Sequence, residues 1–237
     1  YFVPGATVTT RAFSGDVNNG DITVPVVTTS LGHQTNWDND DWNLVGNPYP
    51  SGLDATKFLR ENAIDNARIN GAIYFWDAGD TAGGYNQHSD YASYSGLGGV
   101  NSGNTAEIPN GNIASGQGFW VYAQTNTNIV FDNSMRNGLN NQFFKSGPSE
   151  NHNVWVSFTN PSNYKNNILL GYNTESTDAE DAGLDAHKLE GSSNVRFSSL
   201  INADEYSIQA FEKLQLGESK SIPLLTFSAD SGMHTLD

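Results

Sequence analysis

Cysteine is absent from the 237 residues of this chain, and its absence excludes several kinds of chemistry. A disulfide scaffold, a thiolate metal site and a cysteine nucleophile are all ruled out, so packing and non-covalent contacts must hold the fold. Basic residues are scarce as well, with Lys+Arg 11 against Asp+Glu 26 and a net charge of -15. Such a balance repels nucleic acid and anionic membrane surfaces. We therefore expect neither nucleic-acid binding nor membrane insertion.

Long apolar runs are missing too. No stretch approaches the roughly 20 apolar residues that a membrane-spanning helix needs. The first residues, Tyr1 to Pro4, show neither the basic start nor the apolar segment of a secretory leader, so the sequence is expected to be a mature fragment.

Turn-forming residues are what the chain has in abundance. There are 24 glycines and many asparagines, the two residues that best tolerate a positive φ. Between them lie short alternating runs typical of strands, for example 22–27, 72–76, 118–123 and 154–158. Residues 146–150 have linker composition. These patterns predict an all-β protein of two β-sandwich modules, a jelly-roll-like one over 1–147 and a smaller immunoglobulin-like one over 148–237. The second is expected to be cut short at its C-terminus, because strand-like alternation still runs at Asp237.

One segment departs from strand patterning. Ser51 and Asp54 fit a capping box, and good helix formers follow up to Ala63. The spacing of Phe58 and Leu59 places both side chains on one side of such a helix. The sequence therefore predicts one short helix near 54–63 that lies across the open end of a sheet.

Three segments carry a likeness to a known family: 42–51 (Trp-Asn-Leu-Val-Gly-Asn-Pro-Tyr-Pro-Ser), 72–77 (Ala-Ile-Tyr-Phe-Trp-Asp) and 116–121 (Gly-Gln-Gly-Phe-Trp-Val). The likeness continues through 131–136 and 143–145, and more loosely through 178–189. On these segments the chain resembles a module near the C-terminal end of large secreted Bacteroidota proteins, the cargo of the type IX secretion system.

The resemblance implies a location and an architectural role. It predicts a non-enzymatic structural, adhesion or display module at the outer cell surface or outside the cell, whose partners are the type IX machinery during export and other surface proteins or glycans. The alternative function is a carbohydrate-binding module attached to an extracellular polysaccharide-degrading enzyme. A second alternative, an enzyme in its own right, has little support, because the five histidines are scattered and no Gly-x-Ser-x-Gly or His-Glu-x-x-His motif occurs.

An acidic stretch is the best candidate for a metal site. Several carboxylates close together in a flexible loop could supply the hard oxygen ligands that Ca²⁺ prefers, although their spacing does not match an EF-hand. A solvated acidic loop without a metal is the alternative interpretation. The candidate calcium ligands are Asp178, Glu180, Asp181 and Asp185.

Aromatic residues suggest a second kind of site. An aromatic face can stack on the apolar face of a sugar ring, and four aromatic residues stand in stretches rich in Gly, Ser and Asn. The candidate stacking residues are Trp37, Tyr85, Tyr91 and Tyr94. By contrast, Trp42, Trp76 and Trp120 stand inside strand patterns, so we expect them to be buried in one core.

Modification is predicted at one threonine. Asp80-Thr81-Ala82 matches the short pattern at which Bacteroidota glycosylate exported proteins, a rule that enters through the family resemblance alone. Glycines on both sides favour an accessible loop. The sequence therefore predicts O-glycosylation of Thr81, with an ordinary exposed turn as the alternative.

Overall fold

The computed structural model describes residues 15–28, 41–77, 91–103, 107–138, 152–189, 194–214 and 218–237. Strands dominate these ranges, so the predicted all-β class is confirmed. The strands are β1 Ile22–Val26, β2 Trp42–Gly46, β3 Gly52–Asp54, β4 Ile73–Trp76, β5 Tyr91–Ser95, β6 Gly98–Val100, β7 Asn112–Ile113, β8 Gly118–Tyr122, β9 Thr127–Phe131, β10 Arg136–Asn137, β11 His152–Thr159, β12 Lys165–Asn173, β13 Ala186–His187, β14 Val195–Ile201, β15 Asp204–Glu212, β16 Leu224–Ser228 and β17 Thr235–Leu236.

Four sheets are formed by these strands. The central sheet has the order β2-β8-β4-β5-β6, and the C-terminal sheet has the order β16-β14-β15-β12-β11-β17, with β13 added beside β15. Two small sheets, β1-β9 and β10-β3-β7, complete the set. The pairing is antiparallel except between β12 and β15, which run parallel.

The predicted helix is present and begins one residue after its cap. Helix α1 spans Ala55–Leu59 and continues as one π-helical turn, Arg60–Ile64. Asp54 is the N-cap, since its side chain accepts hydrogen bonds from the backbone N–H groups of Thr56 and Lys57. Ser51 does not cap the helix as the capping-box pattern suggested; its hydroxyl instead accepts from the side chain of Arg136 at 3.1 Å.

Asparagine supplies tight turns, as the composition indicated. Asn163 lies between β11 and β12 with φ 65°, and Asn202 lies between β14 and β15 with φ 57°. Both values fall in the left-handed region, which asparagine tolerates better than most residues with a side chain. In the first turn, the Asn163 N–H donates to the carbonyl of Asn160.

The central sheet is apolar on both faces. Along β8, Phe119 and Val121 point into a first core, whereas Trp120 points to the opposite side and packs against a second core. Neighbouring residues on β4 divide in the same way, with Ile73 in the first core and Tyr74 in the second. A strand buried on both faces loses the alternation of apolar and polar residues. The central sheet is therefore the middle of three layers.

The first core fills the space between the central sheet, the two small sheets and the helix. Phe58 from α1 stacks on Phe131 from β9 with ring centroids 5.1 Å apart and meets the edge of Phe119 at 5.4 Å. Phe58 and Leu59 are both buried there. The predicted short helix is therefore present, and both apolar side chains that the spacing placed on one side are buried.

The second core contains side chains from both 1–147 and 148–237, the two parts that the predicted linker divides. Tyr74 and Val100 of the central sheet share it with Leu169 and Ile208 of the C-terminal sheet. In the described residues of 148–237 there is one sheet, and the layer that faces it is the central sheet. No described strand before residue 147 pairs with a described strand after it, whereas side chains from both parts pack in the second core. The division into units 1–147 and 148–237 stays a prediction.

The tryptophans do not all behave as their strand patterns suggested. Trp42 and Trp120 are partly buried against the second core, but the side chain of Trp76 is 47% exposed. Trp76 closes β4, beyond the part of the strand that the C-terminal sheet covers through Tyr74. The expectation of one core containing all three is wrong for Trp76.

Candidate functional site

The acidic stretch lies against the central sheet as a loop, residues 177–187, which we call the clasp. The clasp contacts the turn after β5 through its backbone: the N–H of Gly96 donates to the carbonyl of Gly183 at 2.6 Å, and the hydroxyl of Ser95 donates to the carbonyl of Leu184 at 2.6 Å. A third bond at 3.0 Å runs from the hydroxyl of Tyr74 to the carbonyl of His187. The clasp therefore connects the C-terminal part of the chain to β4 and β5.

Glycine makes this close approach possible. A Cβ at Gly96 would lie 2.6 Å from the Gly183 carbonyl oxygen, and a Cβ at Gly71 would overlap the backbone nitrogen of Gly183. Gly183 itself has φ +83°, a conformation that residues with side chains rarely adopt. Gly71, Gly96 and Gly183 thus form a contact of backbone on backbone, which a side chain at any of them would disturb.

Asp185 is the buried carboxylate of the clasp. Its side chain accepts two backbone hydrogen bonds, from Ala210 on Oδ1 and from Asp181 on Oδ2, both at 2.6 Å. Asp185 is 3% exposed, and this burial raises its pKa to about 7, with the carboxylates of Asp181 and Glu180 acting in the same direction. The two N–H donors oppose the shift, because they favour the charged form.

His187, the last residue of the clasp, packs against Tyr206 of β15. The His187 ring lies 4.3 Å from the Tyr206 ring, and its Nε2 is 2.8 Å from Oε1 of Glu180. Burial raises the pKa of Tyr206, and the charge of Glu180 raises it further. Tyr74, on the central sheet, has its pKa raised by burial as well. The tyrosines therefore stay neutral hydrogen-bond donors at any pH near neutrality.

The other candidate calcium ligands are held apart by different partners. Asp178 pairs with the ammonium group of Lys220, and Asp181 accepts from the backbone N–H of Thr177 at 2.6 Å and from its hydroxyl at 3.0 Å. Across the part of the chain that the structure describes, no three or more His, Asp or Glu side chains form a group that could hold a metal ion. Calcium binding by this loop stays a prediction.

The candidate stacking residues divide into three cases. Trp37 and Tyr85 lie outside the described residues, as does the glycosylation candidate Thr81. Tyr94 is not in a loop: it belongs to β5, is 9% exposed, lies in the first core, and its hydroxyl is 2.9 Å from that of Thr56. Tyr91 opens β5 half-buried, with its ring 5.1 Å from that of Trp76 and nearly perpendicular to it.

A further aromatic surface appears where the sequence indicated core. On the face of the central sheet that carries the second core, Leu44 stands opposite Trp120, and Gly46 stands opposite Gly118. Trp76 follows two residues after Tyr74, the partner of Trp120, and so projects from the same face. We call these five residues, Leu44, Gly46, Trp76, Gly118 and Trp120, the aromatic platform.

The platform residues are uncharged, and all except the half-buried Trp120 are exposed to solvent. Leu44 is 63% exposed, and Gly46 and Gly118 are exposed as well. Because these two residues are glycines, no side chain covers the backbone at their positions. A Cβ at Gly118 would meet only ordinary contacts, the nearest at 3.5 Å from Leu44 and from the Val45 carbonyl. The glycines therefore leave a shallow floor on which a flat ligand could lie. Sequence patterning missed this surface because a solvent-exposed tryptophan at a strand end has the same local signature as a buried one.

These features define a class of protein: an all-β protein whose central sheet carries an apolar core on each face, with a clasp from the C-terminal part and an aromatic platform of uncharged residues. A family model matches residues 3–237, and the chain belongs to that family, which is described as Domain of unknown function (DUF8693). Neither the curated proteins nor the solved structures gave a match to the chain. Within the described ranges, no helix has the length and apolar character needed to cross a membrane.

Proposed function

We propose that this chain is a non-enzymatic structural and display module of a larger secreted or cell-surface protein, exported by a type IX secretion system. One observation carries the proposal: the polar groups between the central and C-terminal sheets serve to join the two sheets. Beyond the clasp, the side-chain amide of Asn153 donates to the Leu97 carbonyl and the indole of Trp155 to the Gly99 carbonyl, both at 3.0 Å. The side-chain amide of Asn167 donates to Asn101 at 2.8 Å.

This arrangement suits a module that must resist mechanical force. Hydrogen bonds spread along a sheet-to-sheet contact resist sliding of one layer over the other, and the second core beneath them resists separation. The net charge of -15 keeps such a module soluble and discourages contact with anionic surfaces. During export the partner would be the type IX machinery, and at the cell surface other proteins or glycans. Thr81 is the proposed glycosylation site, and its modification would accompany export.

Location is the property to test first. Protease shaving and antibody labelling of intact cells from the native source should reach this chain, and both should fail when the type IX translocon is deleted. A glycan mass on Thr81 should be found in exported material and be missing from the same chain made in a cytoplasm. Recovery of the chain from the cytoplasm of both the wild-type strain and the translocon-deletion strain would contradict the proposal.

A second candidate function, carbohydrate binding, is favoured by the aromatic platform. An indole face packs well against the C–H face of a pyranose, and the uncharged floor between Trp76 and Trp120 suits a neutral sugar. Binding would bury apolar surface that is now exposed at Leu44 and Trp76. The module would then target its parent protein to a neutral polysaccharide.

Matched aromatic substitutions test this second function. Calorimetric titration with neutral oligosaccharides should show binding that weakens about five- to tenfold in Trp76→Ala, because stacking on one indole contributes about 1–1.5 kcal/mol. Phe227→Ala is the control, since Phe227 is 50% exposed on β16, in the other large sheet. Equal weakening by both substitutions, or none by either, would remove the platform as a sugar site.

A further inference from the structure

Lys188 carries a buried cation, which is unusual because an ammonium group loses its hydration when it leaves water. Within the described ranges it is the only lysine or arginine that is buried. Its Nζ donates to Oδ1 of Asn166 on β12 at 2.5 Å, shorter than the roughly 2.7–3.2 Å of an ordinary N–H···O hydrogen bond. Asn166 is itself 1% exposed, so the pair lies away from bulk water.

An apolar core adjoins this pair. Asn166 shares one face of β12 with Ile168, because residues two apart in a strand point the same way. Ile168 is fully buried in a third core, together with Val195 and Phe197 of β14. The Lys188 side chain therefore meets Asn166 beside that core, where a charged group costs more than a neutral one.

We propose that Lys188 and Asn166 are a cross-linking site, at which the Lys188 Nζ forms an amide bond with the Asn166 Cγ and ammonia leaves. The Cγ atom lies one C=O bond beyond Oδ1, so Nζ is no more than about 3.7 Å from the carbon that it attacks. Atoms poised to react are about 3–3.5 Å apart, so little movement is needed. The bond would be a covalent connection in a chain that has no cysteine.

The reaction balances without an added reagent. The nitrogen lone pair of Lys188 forms the new bond to the Asn166 Cγ, and the bond from Cγ to Nδ2 breaks. An ammonium group and a primary amide thereby become a secondary amide and an ammonium ion, and no atom is oxidised or reduced. The reaction also replaces a buried charge with a neutral amide, which favours the product in this environment.

Glu205 is the carboxylate that can carry the protons. Attack requires that Lys188 give up a proton and that the departing nitrogen of Asn166 gain one, and a carboxylate can perform both transfers. The backbone N–H of Lys188 donates to the Glu205 carbonyl at 2.8 Å, next in register after His187 and Tyr206, so the side chains of Lys188 and Glu205 share a face. The Glu205 carboxylate accepts from the buried hydroxyl of Ser198 at 2.7 Å.

The bond would close the segment 166–188 into a loop that contains the whole clasp. Pulling on the two ends of the chain could then not extend this segment, because the force would pass through the new amide bond. The inference goes beyond the proposed function and does not depend on the export route or on the location of the protein. The mass of the folded chain decides it wherever the chain is made.

Mass spectrometry of the denatured full chain tests the cross-link. The wild type should be lighter than its sequence mass by one molecule of ammonia, and trypsin should yield a branched peptide that joins Lys188 to Asn166. A wild type at full sequence mass would overturn the proposal. So would a loss of ammonia that maps to cyclisation at an Asn-Gly sequence, such as Asn137-Gly138, and not to the pair.

Matched variants assign the bond to these two side chains. Lys188→Arg and Asn166→Ala should keep the full sequence mass. Lys220→Arg, at an ion pair with Asp178 of the clasp, should lose ammonia as the wild type does. Loss of ammonia in Asn166→Ala would overturn the assignment, and the branched wild-type peptide decides if either variant does not fold.

Glu205→Gln tests the proton carrier. In a time course after refolding, this variant should lose ammonia at least about tenfold more slowly than the wild type, because general acid–base catalysis is removed. An unchanged rate would overturn the role of Glu205.

Discussion

The buried side chain of Asn62 connects the helix to β9 through hydrogen bonds. Asn62 lies in the π-helical turn after α1 and is fully buried. Its amide donates to the carbonyls of Phe58 at 3.0 Å and Val130 at 2.9 Å, while its oxygen accepts from the Val130 N–H at 2.8 Å. This side chain therefore pairs with the backbone of β9 in the way that a neighbouring strand would.

Removing that amide should be costly. Asn62→Ala leaves the N–H and the carbonyl of Val130 without their partner in a buried site, which we expect to lower the free energy of unfolding by about 2–4 kcal/mol. Asn66→Ala is the control, because the Asn66 amide makes exposed bonds to Glu61 and its loss should cost less than about 0.5 kcal/mol. Urea unfolding at constant m-value measures both. Similar costs for the two variants would show that Asn62 does not connect these elements.

At the scale of elements, the clasp and the β5–β6 turn depend on close contact between backbones. Gly96 follows β5, and its N–H and Cα approach Gly183 too closely for a side chain. Ser95 strengthens the same contact through its hydroxyl. The acidic residues thus lie on a loop that meets the β5–β6 turn through glycine backbone.

A single methyl group should disturb this contact. Gly96→Ala places a Cβ 2.6 Å from the Gly183 carbonyl oxygen, so the clasp must shift, and we expect a loss of about 1–3 kcal/mol in unfolding free energy. The matched control is Gly138→Ala, where a Cβ would meet nothing within 4 Å. Chemical shifts of the Gly183 amide should move in the first variant and stay in the second. An undisturbed Gly183 in Gly96→Ala would mean that the two turns are less tightly apposed than the structure shows.

At the scale of the whole molecule, the second core decides how the chain behaves as a unit. Leu169 and Ile208 are fully buried in it, although the surface that covers them belongs to β4, β5, β6 and the turns between them. Each such side chain contributes about 1.5–3 kcal/mol through burial. The C-terminal sheet therefore draws a large share of its stability from the residues before 147.

Separating the two parts should expose that dependence. We expect the full chain to unfold in one cooperative transition, and the isolated segment 148–237 to bind a hydrophobic dye and to melt without a sharp transition. Calorimetry of the full chain and dye binding by the segment provide the measurements. A segment that melts cooperatively at the same temperature as the full chain would favour two independent modules, as the linker composition at 146–150 suggested.

Local sequence determined the elements that arise from local physics. The helix after Asp54 follows from a capping residue and a run of good helix formers, and β8 and β9 follow from apolar runs bounded by turn residues. Asparagines at 163 and 202 occupy left-handed positions, where their composition indicated turns. Each of these depends on interactions between residues close together in the chain, so the pattern is visible in the sequence.

Only the tertiary structure decided which surface each element meets. The same alternation that predicts a strand is compatible with a core on either face, so it could not show that the central sheet is covered on both sides or that Trp76 stays exposed. Nor could it show that an acidic loop would bury Asp185 against β15, because the cost of desolvation depends on neighbours 25 residues away. Burial, and with it proton affinity and ligand access, is a property of packing between distant segments, and no short window of sequence contains it.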